Sequence, residues 1–522
     1  MLLLGFPRPP SLTPRPSLPS SAHIAIDLGA SGGRAMLAVL DGEPLVVRLE
    51  EAHRFSHEPL DTPAGPVWDL TTLWREVLTG IEAAAVMARE AGVEIKSVGC
   101  DTWGVDWGLV EPGGELVGLP HAYRDPAHAV ARDRVLSRID GGAEAIYGRT
   151  GIPPQSFNTL FQLEARHTAS PGIFAIDGSS LLLLPDLLHY WLSGVRANER
   201  TNASTTSMLS AVTGDWDREL LATVGLPSAA LGKIVEPGTR LGPVRPELAA
   251  SLGLPHPVAV VAPGTHDTAS AVAAVPAEGE AAGSWAYLSS GTWSLLGVEL
   301  DQPMTTREAF EAGFTNEQGV AGKTRFLRNI AGLWLVQELR RDLERQGKSY
   351  EYAQLADLAA EAPALRTIVD PNAEDLAAPG DSIAKLRGHA DRTTQPIPET
   401  PGQLARCCLD SLALCYADTI ERIESLTDHR IATLYLVGGG VNNRLLNQLA
   451  ADATGRTVKL GPSEATALGN ALVQAMGLGL VKDIEALRGV VARSQDVEVV
   501  KPNAESAEWT TAKRRFRSLT TF

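Results

Sequence analysis

The sequence predicts an α/β protein built as two similar domains. Short apolar strands alternate with amphipathic helices, the pattern of α/β folds. A loop of small residues between two apolar strands occurs twice, at Asp27-Leu-Gly-Ala-Ser-Gly32 and at Tyr287-Leu-Ser-Ser-Gly-Thr292, roughly 260 residues apart. The length, 522 residues, exceeds what a single hydrophobic core usually organises. Apolar residues make up 44% of the chain and charged residues 21%, so a large core can form without disulfides.

Along the chain, Met1 to Gly5 is apolar and is followed by Pro7, Pro9, Pro10, Pro14, Pro16 and Pro19. This lacks the basic start and longer apolar run of a secretory signal, and residues 1–22 are expected to be a disordered extension. Ordered sequence is expected from His23. Ile24-Ala25-Ile26, the small-residue loop and the apolar run Ala35 to Leu40 read as strand, tight loop, strand. Leu70, Leu73, Trp74, Val77, Leu78, Ile81 and Ala88 recur at helical spacing. They predict a helix over 69–91, with Asp69 as N-cap and Gly92 as stop. A strand then leads to Cys100 and Asp101, and a hairpin turns at Pro112-Gly113-Gly114.

Val258 to Val261 is β-like, Pro263 and Gly264 break it, and Thr268 to Ala274 suits a helix, which leaves Asp267 at a strand-to-helix junction. The second hairpin follows, with Trp285 to Leu288 and Trp293 to Val298 flanking Ser-Ser-Gly-Thr. Residues 361–400 are rich in Pro, Asp and Ala and read as a surface excursion. Beyond them come a helix over 403–425, a strand over 432–437, Gly438-Gly439-Gly440, a helix from about Asn442, a strand around Val458, and a helix opened by Ser463 and Glu464.

The net charge of -16 argues against general affinity for nucleic acid or anionic membrane, which depends on Lys and Arg neutralising phosphates. No run approaches the ~18 apolar residues of a membrane span. Cys100, Cys407, Cys408 and Cys415 include no Cys-x-x-Cys pair, and Cys408, Leu412 and Cys415 share one helical stripe. Buried reduced thiols, and hence a reducing cytoplasmic setting, are expected.

Phosphate binding needs closely spaced backbone N–H groups, which a loop of very small residues such as Ala30 to Gly33 exposes. Asp27 could hold Mg²⁺ through water, although a tight hairpin with an Asx turn explains the same residues. Arg34 would neutralise phosphate charge or pair on the surface. Gly322-Lys323-Thr324 resembles the end of a P-loop, but the motif's first glycine would fall at Glu317 and no clear strand precedes it. Gly438 to Gly440 suits either close approach of a nucleotide or a sharp turn, and the lack of Gly-x-Gly-x-x-Gly disfavours a dinucleotide fold. Asp267 reads as a helix N-cap, or as a base kept ionised by the helix dipole that takes a proton from an alcohol. Phosphoryl transfer tolerates so weak a base because positioning supplies much of the catalysis.

DLGASGGR, DTWGVD, FNTLFQL, GTHDTASA, YLSSGTWSL, NIAGLWLVQ and LVGGGVNNRLLNQLAADA together resemble the FGGY carbohydrate kinases, over about Ala25 to Gly477. Asp101–Asp106, Phe157–Leu163 and His266–Thr268 resemble the members that act on L-rhamnulose. The resemblance implies two actin-like (ribonuclease H-like) domains with a cleft between them, divided as 23–262 and 263–490, with 491–522 as a tail. It implies that Ala30, Ser31, Gly32, Gly33 and Arg34 cradle the ATP phosphates, with Thr292, Gln337 and Gly439 completing the nucleotide site. It further implies that Gly104, His266, Asp267, Thr268 and Asn329 hold the sugar, with Asp267 as proton acceptor. The reaction implied is ATP plus L-rhamnulose giving ADP and L-rhamnulose 1-phosphate, with Mg²⁺, in L-rhamnose breakdown. Such kinases usually carry Ser-Ser-Gly-Arg where this chain has Ser31-Gly32-Gly33-Arg34, which removes a hydroxyl but keeps the backbone cradle. Phosphorylation of L-fuculose, L-ribulose or D-xylulose, and a non-catalytic sugar-binding regulator or actin-like ATPase, are the alternative readings.

Overall fold

The computed structural model describes residues 20–255, 257–281, 283–503 and 507–520. Two mixed sheets organise them. The first contains β1 (Ser21–Gly29), β2 (Gly32–Asp41), β3 (Val46–Ser56), β4 (Glu94–Thr102), β5 (Thr239–Pro243) and β6 (Ala259–Ala262), in the order β5-β6-β4-β1-β2-β3. The second contains β7 (Trp285–Ser290), β8 (Ser294–Leu300), β9 (Thr315–Gln318), β10 (Thr324–Ile330), β11 (Thr433–Val437), β12 (Thr457–Leu460) and β13 (Glu498–Val500), in the order β9-β10-β8-β7-β11-β12-β13. In each, an antiparallel meander occupies one side and parallel strands extend the other: β1-β2-β3 with β4 and β6, and β7-β8-β10 with β11 and β12. The two small-residue loops thus join equivalent central strands. The repeat glimpsed in six residues extends through the topology of both sheets.

Ordered structure reaches back to Ser21, two residues before His23, while residues 1–19 of the expected extension lie outside the described residues. Helix α1 (Leu70–Ala91) forms as its spacing predicts. The Asp69 carboxylate accepts from the Thr72 N–H at 3.1 Å, and Gly92 takes φ +66°. Its buried Leu70, Leu73, Val77 and Ile81 pack on Ile24, Ile26 and Leu28 of β1. The other helices that matter for the site are α2 (Asp267–Ala273), α3 (Trp334–Arg345), α4 (Pro401–Thr427), α5 (Arg444–Thr454), α6 (Ala465–Gly477) and α7 (Ala507–Leu519). A capping box between Thr400 and Gln403 opens α4, which buries Cys407, Cys408 and Cys415 as free thiols.

Two sequence expectations are corrected. Helix α5 starts at Arg444 with Asn443 as its cap, because Gly439–Asn442 forms a 3₁₀ turn first. Residues 361–400 are no surface excursion. Ile368, Val369, Leu376 and Leu386 enter the second domain's core. The segment also satisfies buried carboxylates of α3, with Gly380 N–H donating to Glu338 at 2.8 Å and Ile383 N–H to Asp342 at 2.9 Å. Its Pro-, Asp- and Ala-rich composition masked a short amphipathic helix, Ser382–Arg392, whose buried Ile383, Leu386 and Ala390 do recur at helical spacing.

Between the sheets, α2 crosses α6. A Cβ on Gly469 would sit 1.8 Å from the carbonyl oxygen of Ser270, so the crossing admits only glycine there. Helix α6 is also bonded to the first sheet: Gln474 Nε2 donates to Ile24 O at 3.0 Å, and Ser97 Oγ donates to Gln474 Oε1 at 2.7 Å. With that hydroxyl proton committed, Ser97 Oγ accepts from His23 Nδ1 at 2.7 Å, which puts the ring proton of the fully buried His23 on Nδ1.

Two outcomes are expected. Gly469→Ala forces the helices apart or bends one, and should lower the free energy of unfolding by about 1–3 kcal/mol in urea titration; a loss below about 0.5 kcal/mol would show that the crossing tolerates a methyl group. Burial, reinforced by Lys96, lowers the His23 pKa from 6.5 to about 3. Below pH 6.5 the unfolded chain therefore takes up a proton that the folded chain refuses, and stability falls with pH. Between pH 6.5 and 5 this group should remove about 2 kcal/mol. His23→Gln should lose that part of the slope, and equal slopes for the two chains would contradict the assignment.

Candidate active site

The ends of β1 and β4 and the start of α2 bring three carboxylates together. Asp27 and Asp101 are cross-strand neighbours in the β1–β4 ladder, and Asp267 opens α2. Asp27 is buried and accepts from Arg34 at 3.0 Å (Nε) and 2.7 Å (Nη2), and Arg34 Nη1 lies 2.8 Å from Glu464 at the entry to α6. Arg34 is therefore a bridge between two carboxylates from different domains, neither wholly free for phosphate nor a surface pair. Asp101 Oδ2 accepts from Asn470 of α6 at 2.6 Å, while its buried Oδ1 has no partner. Burial raises the pKa of both Asp27 and Asp101, and their mutual charge together with that of Asp267 raises Asp101 further.

The loop above them is a two-residue hairpin turn at Ala30-Ser31, with Gly29 paired to Gly32. Ser31 is exposed, and Gly32 and Arg34 are half-buried. Gly33 is buried for packing: a Cβ there would lie 2.5 Å from the Phe55 ring and 2.6 Å from Leu28. His57 Nε2 donates to Gly29 O at 2.8 Å and steadies the turn.

Asp267 is the first residue of α2, not its cap. The cap position is His266, whose side chain makes no capping bond. Asp267 Oδ1 accepts from Thr268 N–H at 2.6 Å and Thr268 Oγ1 at 3.1 Å, and its side chain keeps 30% exposure. A buried carboxylate fixes the backbone beneath: Glu199 Oε2 accepts from the N–H and Oγ1 of Thr265 at 3.0 and 2.7 Å, and Thr201 Oγ1, also bonded to Glu199, accepts from His266 N–H at 3.2 Å. Burial pushes Glu199 up to about 7. The Thr102–His266 bridge carries the β4 register into this triplet.

Gly104 faces Thr205, whose Oγ1 would be 3.0 Å from a Cβ. The next residue, Val105, is strained at φ +71°, a conformation that β-branched residues avoid. It is held by Thr205 Oγ1, which accepts from its N–H at 3.2 Å, and by Thr159 Oγ1, which donates to its carbonyl at 2.6 Å. The bend delivers Asp106 into the interior. There its carboxylate accepts from Trp68 Nε1 (2.6 Å), Trp103 Nε1 (2.9 Å), Tyr123 N–H (3.3 Å) and Gln162 Nε2 (2.9 Å). Burial still raises it to about 6. The result is a rigid aromatic wall, with the Trp68 and Trp103 rings 4.4 Å apart and His57 stacked 5.4 Å from Trp103.

On the other domain, Gln337 Nε2 donates to Thr292 Oγ1 at 3.3 Å, and the N–H groups of Leu333 and Trp334 bond the carbonyls of Gly291 and Thr292. Gly440 packs on Ser290, whose Oγ would lie 2.0 Å from a Cβ, whereas a Cβ on Gly439 would meet nothing within 4 Å. Arg124 lies 5.4 Å from the ring centres of both Tyr123 and Trp334 and so spans the two domains. The structure thus gathers Asp27, Arg34, His266, Asp267 and Thr268 on one side, and Thr292 with Gln337 on the other. Asn329 is exposed on β10 opposite Leu295, one ladder position from the Ser294–Ile330 pair beside the Thr292 turn. Gly322-Lys323-Thr324 turns from β9 into β10, and Lys323 pairs with Asp301 at 2.7 Å, which excludes a P-loop. Sequence reasoning missed Asp101, Asp106, Glu199 and Glu464. The first two sit inside DTWGVD, where two acids among apolar residues of a strand end were signal enough.

Protein comparisons identify the family and the fold. The family models for the FGGY family of carbohydrate kinases match residues 22–274 (N-terminal domain) and 286–478 (C-terminal domain). Among curated relatives, a rhamnulokinase of Enterococcus faecalis is 40% identical over 502 residues, covering 95% of this chain and 97% of the relative. One of Bacteroides thetaiotaomicron is 39% identical over 496 residues, covering 95% and 98%. Among solved structures, gluconate kinase from Lactobacillus acidophilus superposes with TM-score 0.77 at 17% identity, covering 96% of this chain and 97% of that one. Plasmodium falciparum glycerol kinase with ADP superposes with TM-score 0.74 at 14% identity, covering 96% and 99%. These distant structures share the two-domain actin-like fold.

Proposed function

The chain belongs to the FGGY family of carbohydrate kinases, and from that premise we propose that it transfers the γ-phosphoryl group of ATP to the 1-hydroxyl of L-rhamnulose. The products are ADP and L-rhamnulose 1-phosphate, in cytoplasmic L-rhamnose breakdown. The sugar assignment is supported by relatives about 40% identical along nearly the whole chain, each named rhamnulokinase. The chemistry is supported above all by one observation: Asp267, half-exposed and held by Thr268, stands beside buried Asp27 and Asp101.

In this reading Asp267 accepts the proton as the sugar oxygen bonds to the γ-phosphorus and the bond to the ADP oxygen breaks; the proton then leaves to solvent. His266 and Thr268 orient the acceptor beside the base, and Gly104 leaves room for the sugar against the aromatic wall. The turn at Ala30 to Gly33 presents its backbone to the phosphates, with Thr292 and Gln337 opposite and Gly439 open to the nucleotide. Arg34, already shared by Asp27 and Glu464, orients Asp27 instead of supplying net positive charge.

A cation suits this place. The unpartnered Oδ1 of Asp101 and the crowded Asp27 carboxylate call for positive charge, yet no cluster of three metal-ligating side chains exists among the described residues. Such a donor set fits Mg²⁺ held by Asp27 through water, the ion taking its remaining ligands from water and phosphate. When bound, Mg²⁺ supplies charge neutralisation at the phosphates.

Two measurements test the proposal. Asp267→Ala should abolish turnover while ATP affinity by calorimetry stays within about threefold; retention of most turnover would remove Asp267 as the base. Coupled-assay rates should favour L-rhamnulose over L-fuculose, L-ribulose and D-xylulose, since a site built around one set of hydroxyls rejects analogues that leave its polar groups unpaired. A clear preference for another of these sugars would replace the assignment, and absence of phosphorylation with any of them would favour a sugar-binding regulator.

A further inference from the structure

We propose that Arg325, backed by Glu317, is a positioning residue that fixes the imidazole of His266 with its proton on Nε2, so that this N–H faces the base Asp267. The proposal rests on the reading of Asp267 given above and adds Arg325 and Glu317, which that reading leaves without a role.

Arg325 projects from β10 of the second sheet and its side chain is 0% exposed. Its Nη2 lies 3.0 Å from His266 Nδ1 in hydrogen-bond geometry. A guanidinium only donates, so Nδ1 must present its lone pair and the ring proton must sit on Nε2. Nε2 is the ring nitrogen turned to Asp267, 3.4 Å from Oδ1, a separation that tightens into a hydrogen bond with a small rotation of either side chain.

The support is built for this purpose. Arg325 Nε donates to Gln318 O at 3.1 Å, which sets the plane of the guanidinium. Glu317 Oε2, 3.1 Å from Nη2, balances a cation that has no access to water. The same oxygen is 3.3 Å from His266 Nδ1 and is the competing acceptor for a proton there, but that contact lacks hydrogen-bond geometry. With Arg325 in place the ring donates to Asp267; without it, Glu317 would draw the proton to Nδ1 and leave Nε2 facing Asp267 lone pair to lone pair. Both supports stand on the second sheet, whereas His266 and Asp267 follow β6 of the first. The orientation of the base therefore depends on how the two sheets are seated.

The test is long-range ¹H–¹⁵N NMR of the histidine-labelled full chain, with His266 assigned through His266→Asn. Nδ1 should resonate as an unprotonated ring nitrogen and Nε2 as a protonated one. In Arg325→Met the two should exchange character, and kcat should fall about 10- to 100-fold while KM for ATP stays within about twofold. Arg325→Lys, which keeps a donor, should restore the original tautomer. Should Arg325→Met fail to fold, Glu317→Met/Arg325→Met removes both buried charges and leaves no side-chain donor or acceptor from these two positions at Nδ1, and loss of the fixed Nε2–H form in that variant serves the same purpose. A protonated Nδ1 in the unaltered chain, or an unchanged kcat in a variant whose tautomer has switched, overturns the proposal. Because the tautomer is read without substrate, a chain that phosphorylates none of the four sugars yet shows the switch counts against the functional reading and not against this one.

Discussion

The crossing of α2 and α6 between the two sheets is the constraint on which the rest of the site depends. At Gly469 the helices approach so closely that Ser270 carbonyl occupies the place of a side chain. This fixes the start of α2, and with it Asp267, relative to the whole second domain. The same α6 reaches into the first sheet through Asn470 and Gln474, which bond Asp101 and β1. One helix therefore sets three things together: the axis of α2, the rotamer of Asp101, and the distance between the sheets. A chain that lost the close crossing would keep its strands but not their common aim, because each carboxylate is carried by a different element.

Electrostatics explains how a chain of net charge -16 can hold a polyanion. Net charge acts over distances that salt screens, whereas backbone N–H groups and a bound cation act at contact. The positive charge of Arg34 is already taken by Asp27 and Glu464. In the proposed site, the negative charges beneath the first turn would favour a divalent cation, and the phosphates would meet neutral small-residue loops. Asp106 follows a different logic. Its four donors make it a hub that locks two indole rings into a fixed wall beside Gly104.

Local signals in the sequence were reliable where the causes were local. Asp69 and Gly92 bound α1 because a cap and a left-handed stop act within one turn. The twin hairpins were visible because a tight turn between buried strands demands small residues. Asp267 could be placed at a strand-to-helix junction, although the cap position falls on His266, one residue earlier. What stayed hidden was long-range. Glu199 meets Thr265 from 66 residues away, Arg325 meets His266 from 59, and Asp101 meets Asn470 from 369. A charged residue in an apolar strand tells that a partner must exist, since burying it alone is costly, but spacing along the chain does not name the partner. Residues 361–400 misled for a different reason: the one apolar face there, Ile383, Leu386 and Ala390 of a helix over Ser382–Arg392, is short and lies among Pro-, Asp- and Ala-rich connections.

The buried charges also weigh against a reading without catalysis. Asp27, Asp101, Glu199 and Asp106 all have raised pKa values, because burial penalises their ionised forms. Each is a cost to the fold that an apolar side chain of similar size would avoid. Glu199 and Asp106 repay part of it by organising loops, since nearly all their oxygens are bonded. Asp101 does not: one oxygen is buried without a donor, beside two other carboxylates. Stability alone would remove such a group, and sugar binding by hydrogen bonds alone would give it a partner. In the proposed reaction, phosphates and a cation would supply the charge that the unbonded Asp101 oxygen lacks, so a group that weakens the resting fold is accounted for by the phosphoryl transfer proposed above.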